Sequence, residues 1–149
     1  LTHLNKSGGL DGWANYEQGA GFEQELLDIL RFMQQHGVKN NLWLTTDVHF
    51  AAAFRYTPFA DAPDFHPREF IAGPLSALLF PNPLFDTTLG TERLFFYGAE
   101  KFTDIRSYDA AKSWLNFGAV EVDASGNLTV KLHKVDGAIV YQETLRPQP

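Results

Sequence analysis

The chain has 149 residues, of which 44% are hydrophobic and 14% aromatic, and this suits one domain with a buried core. Its 12 lysines and arginines against 18 acidic residues give a net charge of -6. No basic cluster occurs, which excludes a groove for nucleic acid. No apolar stretch approaches the ~18 residues of a membrane-spanning helix, and the first residues do not read as a signal peptide.

The first predicted helix follows a polar segment. Residues 1–15 are rich in glycine and polar side chains, which indicates an extended conformation. From Phe22 the apolar residues recur at intervals of three and four, as on a helix with one apolar face. Gly37 suits the position just past the helix C-terminus. These apolar residues are Phe22, Leu26, Ile29, Leu30 and Met33.

A short buried strand is predicted from about Asn41 to Thr46, because an apolar run there is bounded by Gly37 and Asp47. A helix followed by such a strand is half of a βαβ crossover and predicts a parallel neighbour for the strand. We expect that neighbour in a missing part of a larger domain, unless another chain supplies it.

Asp47 and His49 directly follow this strand, at the end where open α/β sheets bind ligands. In an extended Asp-x-His segment both side chains point to the same face. A carboxylate oxygen and an imidazole nitrogen on one face can bind one divalent ion or two neighbouring ones. The same residues also fit an aspartate that caps a turn beside a histidine in an ordinary hydrogen bond.

The rest of the chain reads as strands and loops. Residues 51–56 are predicted to be a strand or extended segment of small residues, and residues 57–68, with three prolines, a loop. Residues 69–72 are predicted to be a short strand. Residues 73–107 contain many prolines, glycines and aromatics, which predicts a long irregular segment that covers or lines a site.

The chain is predicted to end in an antiparallel meander, because its last segments alternate apolar and polar residues. The strands are expected at 113–122, 127–134 and 138–145. Turn residues at 125–127 and at Asp136-Gly137 separate them.

Several stretches, in this order, resemble the C-terminal half of the PhoD-type alkaline phosphatases, which are calcineurin-like metallophosphoesterases. Asp11 to Tyr16 resembles the family's Asp-x-Trp-x-x-Tyr, Leu44 to His49 its Leu-Thr-Gly-Asp-Val-His, and Glu69 to Ser76 its Glu-Phe-Val segment. Asn116 to Gly118 resembles the start of its closing β-hairpin. The resemblance implies an α/β fold: the C-terminal half of a metallophosphoesterase-type mixed β-sandwich flanked by helices, ending in the meander.

The resemblance also implies chemistry, namely metal-dependent hydrolysis of phosphate mono- or diesters. It implies His49 as a ligand of iron and Asp47 as a ligand of a neighbouring calcium-type ion. Glu69 could orient His49 through a hydrogen bond, or be a strand-start carboxylate bonded to a backbone amide. Thr46 stands where the family usually has glycine, so the backbone there is either ordinary or strained.

Two more polar residues have open roles. His66, in the proline-rich loop, could reach the site from above or be solvated. Asn116 could be a turn residue or a ligand.

The chain carries only part of a two-metal site, since such a site takes about six protein ligands. It has no cysteine, and the resemblance places the other ligands, including a cysteine and a tyrosine on iron, in an N-terminal half. We therefore expect residues 1–149 to be a single unit, the C-terminal part of a larger metallophosphatase domain, and inactive alone. The missing half or a second copy of the chain would complete the site. By resemblance, the whole enzyme would be an exported bacterial protein, periplasmic or extracellular.

Two other classes of function stay open. The chain could be a non-catalytic binding or structural module that pairs with a partner chain. Alternatively, the aromatic-rich segment 73–107 could bind an apolar or sugar ligand, with an affinity that is indifferent to chelators.

Overall fold

A helix, a mixed sheet and an antiparallel sheet form three layers in the computed structural model, which describes residues 22–81 and 84–149. The Asp11 to Tyr16 motif and the extended segment predicted for residues 1–15 lie outside these described residues. The described chain is mostly sheet with few helices. No helix in it has the length and apolarity that crossing a membrane requires.

Helix α1 spans Glu23–Gln35, as the apolar periodicity predicted. Leu26 and Leu30 are fully buried and anchor the helix on the mixed sheet. Phe22, expected on the same apolar face, is exposed because it precedes the first helical turn. Gly37 has a φ of 62°, the left-handed conformation expected just past a helix C-terminus.

The mixed sheet has the strand order β1-β3-β2-β4. Strand β1 runs parallel to β3, and β2 runs antiparallel to both of its neighbours. The parallel neighbour of β1 therefore lies in this chain, and our expectation that it would lie outside is wrong. The chain reverses after β1, runs back as β2, and returns between β1 and β2 as β3. The strands are β1 Leu42–Thr45, β2 Ala51–Arg55, β3 Arg68–Ile71 and β4 Glu92–Tyr97.

The segment 73–107 is less irregular than predicted, because it contains all of β4 and a 3-10 turn at Phe102–Ile105. Strand β4 forms where aromatic residues pack beside β2: the rings of Phe96 and Phe50 lie 5.1 Å apart. The prolines and glycines that indicated a loop lie outside this aromatic run. Helix α2, Tyr108–Lys112, follows and delays the first meander strand to Asn116.

The meander at the end of the chain is confirmed. Its strands are β5 Asn116–Val122, β6 Leu128–Lys134 and β7 Ile139–Leu145, paired in sequence order. Gly126 and Gly137 take positive φ in the two turns. In the first turn, hydrogen bonds from the side chain and backbone of Asn127 hold the pKa of Asp123 below its usual value.

The central strands β2 and β3 of the mixed sheet are buried on both faces, and alternate side chains along β2 point to opposite sides. Ala52 and Phe54 pack towards α1, whereas Ala53 packs with Phe70 and Val130 towards the meander. The small side chains of β2 let both outer layers approach the sheet closely. Its two ends remain open, and the end where β1 and β3 finish positions the site.

Candidate functional site

The candidate site lies in the loop between β1 and β2. In the strand pairing, Thr45 and Ala52 both face Ile71, the last residue of β3, and Ala51 faces Tyr97, the last residue of β4. The C-terminal ends of β1, β3 and β4 and the start of β2 therefore share one end of the sheet. Residues 46–50 leave from that end, which is where the sequence placed Asp47 and His49.

The expectation that Asp47 and His49 are extended is wrong. Strand β1 ends at Thr45, and the two residues have φ values of 78° and 65°. Left-handed backbone costs a residue other than glycine roughly 1–2 kcal/mol. Strand alternation thus does not orient the two side chains, and an irregular loop does so instead.

The φ of Thr46 lies outside the left-handed region. Of the two alternatives, an ordinary or a strained backbone at Thr46, the strained one is therefore wrong. A glycine does lie next to Thr46 in space: it is Gly73, whose φ of 124° is in the region that favours glycine. A Cβ at Gly73 would lie 3.0 Å from Oγ1 of Thr46. Gly73 therefore allows the segment after β3 to pass close beneath the loop.

Asn116 fixes Gly73 in that position. Its Oδ1 accepts a hydrogen bond from the Gly73 amide at 2.6 Å, and its Nδ2 donates to the Gly73 carbonyl at 2.9 Å and to the Trp114 carbonyl at 3.1 Å. The side chain is fully buried. Because both the oxygen and the nitrogen of the side-chain amide are hydrogen-bonded to backbone groups, this arrangement favours a structural role for Asn116 over that of a ligand.

The ring of His49 is oriented by the segment after Gly73. Its Nδ1 forms a hydrogen bond with the carbonyl of Leu78, and the ring of Phe80 meets the imidazole edge-on, with centroids 4.8 Å apart. A carbonyl can only accept, so Nδ1 carries the proton and Nε2 keeps a free lone pair in the neutral ring. Metal-binding histidines typically show this arrangement.

The carboxylate of Asp47 is exposed and has no hydrogen-bond partner among the described residues. It is therefore available to an ion or to a ligand. Within residues 22–81 and 84–149, no three histidine, aspartate or glutamate side chains lie close enough together to hold a metal ion. Asp47 and His49 would thus need ligands from elsewhere to enclose one.

Glu69 is fully buried and forms a hydrogen bond with β1, the strand that leads into the loop. Its Oε1 accepts a hydrogen bond from the hydroxyl of Thr45 at 2.7 Å, and its Oε2 accepts one from the hydroxyl of Tyr56. Neither sequence interpretation anticipated this role. The available signal was a carboxylate placed directly before Phe70 and Ile71, because a charge within a buried strand requires polar partners.

His66 lies at the other end of the sheet. It precedes Arg68, which is paired with Leu42 at the start of β1, whereas Asp47 follows the end of β1. A strand of this length spans about 10 Å. The side chain of His66 is exposed, so the structure does not bring it together with Asp47 and His49.

Comparison with known proteins supplies the family. The family model described as PhoD-like phosphatase matches residues 2–133, which include strands β1 to β5 and all of β6 except its last residue. The chain belongs to the PhoD-like phosphatase family, as its resemblance predicted, and by family it is a phosphoric ester hydrolase. No curated protein and no solved structure shows a significant match.

Removing the hydroxyl of Tyr56 should weaken the fold. Tyr56→Phe takes one donor from the buried carboxylate of Glu69, and we expect a loss of about 1–3 kcal/mol in the free energy of unfolding. Urea denaturation followed by tryptophan fluorescence measures this loss. Tyr108→Phe is the matched control, since Tyr108 is exposed, and should change stability by less than about 0.5 kcal/mol. Equal effects of the two substitutions would show that the hydrogen bond is not structural.

Substitutions at Asp47 should reveal its backbone strain. Glycine adopts the left-handed region freely, so Asp47→Gly should be more stable than Asp47→Ala by about 1 kcal/mol in urea denaturation. Asp64 is also exposed but is not left-handed. At position 64 the alanine variant should be more stable than the glycine variant, because glycine there only adds entropy to the unfolded chain. The same order at both positions would contradict the conformation described for Asp47.

Proposed function

We propose that this chain is part of a metal-dependent phosphatase that hydrolyses phosphate mono- or diesters, with Asp47 and His49 as metal ligands. The observation that carries the proposal is the orientation of His49. Its Nδ1 is bound to the Leu78 carbonyl, so Nε2, which has no hydrogen-bond partner in residues 22–81 and 84–149, is available at the sheet end from which the Asp47 loop also leaves. Membership of the PhoD-like phosphatase family supports phosphate-ester hydrolysis as the reaction of such a metal site.

The donor set fits the metals that the family resemblance implies. An imidazole nitrogen suits iron, and a carboxylate oxygen suits a calcium-type ion. When bound, such ions neutralise the charge that develops on the phosphoryl oxygens and make water a stronger nucleophile. They would also supply the positive charge that attracts a phosphate ester to a chain with a net charge of -6.

The protein residues have separate tasks in this proposal. His49 would bind through Nε2, held by Leu78 and Phe80, and Asp47 would bind through a carboxylate oxygen. Glu69 would act through Thr45, by fixing the point where the loop begins. Asn116 would act through Gly73, by keeping the backbone beneath the loop in place.

Two ligands do not position two ions, so we propose that residues 1–149 are the C-terminal part of a larger domain and inactive alone. That domain would be the mixed β-sandwich of the metallophosphoesterases. Its N-terminal half, or a second copy of the chain, would contribute the other ligands. The whole protein would be an exported bacterial enzyme, periplasmic or extracellular.

A binding function is the second candidate, and one cavity favours it. A shallow cavity of about 350 Å³ at the end of β4 is lined by Tyr97 and Trp114, whose rings lie 5.3 Å apart, and by Lys101. Aromatic rings with a polar neighbour suit an apolar or sugar ligand. Such binding would be indifferent to chelators. A structural module that pairs with a partner chain would likewise need no metal.

Metal content and turnover test the proposal. The isolated chain should show no turnover of an aryl phosphate with added iron and calcium, whereas a protein that also contains the N-terminal half should be active. In that longer protein, Asp47→Ala and His49→Gln should each lower kcat/KM by more than about a hundredfold, since losing even a partner of a metal ligand costs 10–100-fold. The bound metal, measured by elemental analysis, should fall in parallel.

Asp64→Ala and His66→Gln are the matched controls, because both residues are exposed at the opposite end of the sheet. They should leave turnover and metal content unchanged. Turnover by the isolated chain that disappears in Asp47→Ala would contradict the partial site. Full activity of the longer protein after either ligand substitution would contradict the proposed metal centre itself.

A further inference from the structure

The segment that follows Gly73 forms the surface beside His49. Its start is held by Asn116, which binds the Gly73 backbone, and further along the chain the Leu78 carbonyl accepts a hydrogen bond from Nδ1 of His49. The ring of Phe80 meets the same imidazole edge-on, with centroids 4.8 Å apart. This segment is therefore in direct contact with a proposed metal ligand.

Two apolar side chains of this segment face the solvent. Leu78 is 78% exposed and Phe80 is 51% exposed, whereas Leu79 between them is only 6% exposed. Leu79 thus anchors the segment to the protein while its two neighbours project outwards. We call Leu78 and Phe80 the apolar rim. Exposed apolar groups beside a site commonly mark a surface that binds a ligand or a partner.

The apolar rim lies in an uncharged stretch of the chain. Residues 74–81 contain no charged side chain, and Ser76 carries their only side-chain hydrogen-bonding group. A charged or polyhydroxylated alcohol would lose water here and gain at most one side-chain partner, which is unfavourable. An alkyl or aryl group, in contrast, is stabilised in proportion to the apolar area that it buries.

The position of the apolar rim relates it to the alcohol part of a phosphate ester. In the proposed function, the phosphoryl group lies on the side of His49 where Nε2 and Asp47 are available, and Nδ1 faces the rim segment. Only the imidazole ring separates Nε2 from that segment. An alcohol part of several carbon atoms, attached to the phosphoryl group, is therefore long enough to reach Phe80.

We propose that the apolar rim binds the alcohol part of the substrate, so that the enzyme prefers phosphate esters of uncharged, apolar alcohols. Such an alcohol is an alkyl or aryl group of several carbon atoms that packs on Leu78 and Phe80. The inference rests on the proposed function, because the phosphoryl group has to lie at Asp47 and His49. It adds the class of ester that this site selects.

Binding of the alcohol part alone is tested on the isolated chain without metal. Hexan-1-ol should shift the NMR signals of the Phe80 ring saturably, whereas methanol at the same concentration should not. Leu78→Ser removes an apolar side chain but keeps the carbonyl that orients His49, and it should weaken binding of hexan-1-ol at least about threefold. Leu78→Met keeps the apolar surface and should bind hexan-1-ol as the unmodified chain does.

Substrate preference is tested on the longer protein that contains the N-terminal half. Its kcat/KM for hexyl phosphate should exceed that for methyl phosphate at least about tenfold, since one fully buried methylene group is worth roughly fourfold and the rim buries the additional methylene groups in part. The two alcohols have similar acidity, so this ratio reports binding and not reactivity. Leu78→Ser should lower the ratio at least about threefold, and Leu78→Met should retain it.

Val122→Ser is the control for the loss of an exposed apolar side chain elsewhere. Val122 is exposed but lines a cavity together with His66, at the opposite end of the sheet. The ratio of the two kcat/KM values should be the same in this variant as in the unmodified protein.

A long-chain ester separates two sources of an apolar alcohol. Hexadecyl phosphate in phosphatidylcholine vesicles presents the apolar group in a lipid surface, whereas hexyl phosphate presents it in free solution. A higher kcat/KM for the ester in vesicles assigns a lipid as the source, and a lower value assigns a soluble ester.

The two tests fail separately. Turnover by the longer protein with a ratio near one would overturn this inference and leave the metal centre standing. Saturable binding of hexan-1-ol at Phe80 without any turnover would contradict the proposed function and support the apolar rim. Absence of saturable binding at Phe80, or unchanged binding in a Leu78→Ser variant that circular dichroism shows to be folded, would also overturn the inference.

Discussion

The buried carboxylate of Glu69 fixes the strand end from which the candidate site projects. It lies inside the mixed sheet and binds the hydroxyls of Thr45 and Tyr56, one on each neighbouring segment. A buried carboxylate without such partners costs several kcal/mol, so these hydrogen bonds hold the end of β1 against β3. The loop that carries Asp47 and His49 therefore starts from a defined point, although the residues of the loop are themselves irregular.

A second constraint comes from the meander. Asn116 begins β5 and binds both backbone groups of Gly73, which passes under Thr46. Strained backbone persists only where its surroundings determine it fully. The two left-handed residues of the loop follow Thr45, which binds Glu69, and Thr46, which lies against Gly73. The strain is thus located at the two residues proposed to bind metal, and both sheets maintain it.

Periodicity predicted the regular parts of this fold, and tertiary pairing decided the rest. The spacing of Leu26 and Leu30 gave α1, and the alternation from residue 127 onwards gave the meander. The partner of β1 could not be predicted, because a parallel neighbour can come from any later or earlier strand. The position of Asp47 and His49 at a strand end followed from the sequence, but their positive φ depends on Gly73 and on contacts distant in sequence.

The tautomer of His49 tests the central claim most directly, since the proposed metal site depends on a free Nε2. Long-range 1H–15N correlation on the labelled chain distinguishes the two neutral forms of each histidine ring. The account predicts that His49 is protonated at Nδ1, where Leu78 accepts, while His66, which has no such partner among the described residues, is not fixed in this form. A His49 ring protonated at Nε2 would contradict the account, because its lone pair would then face the protein and not the ion.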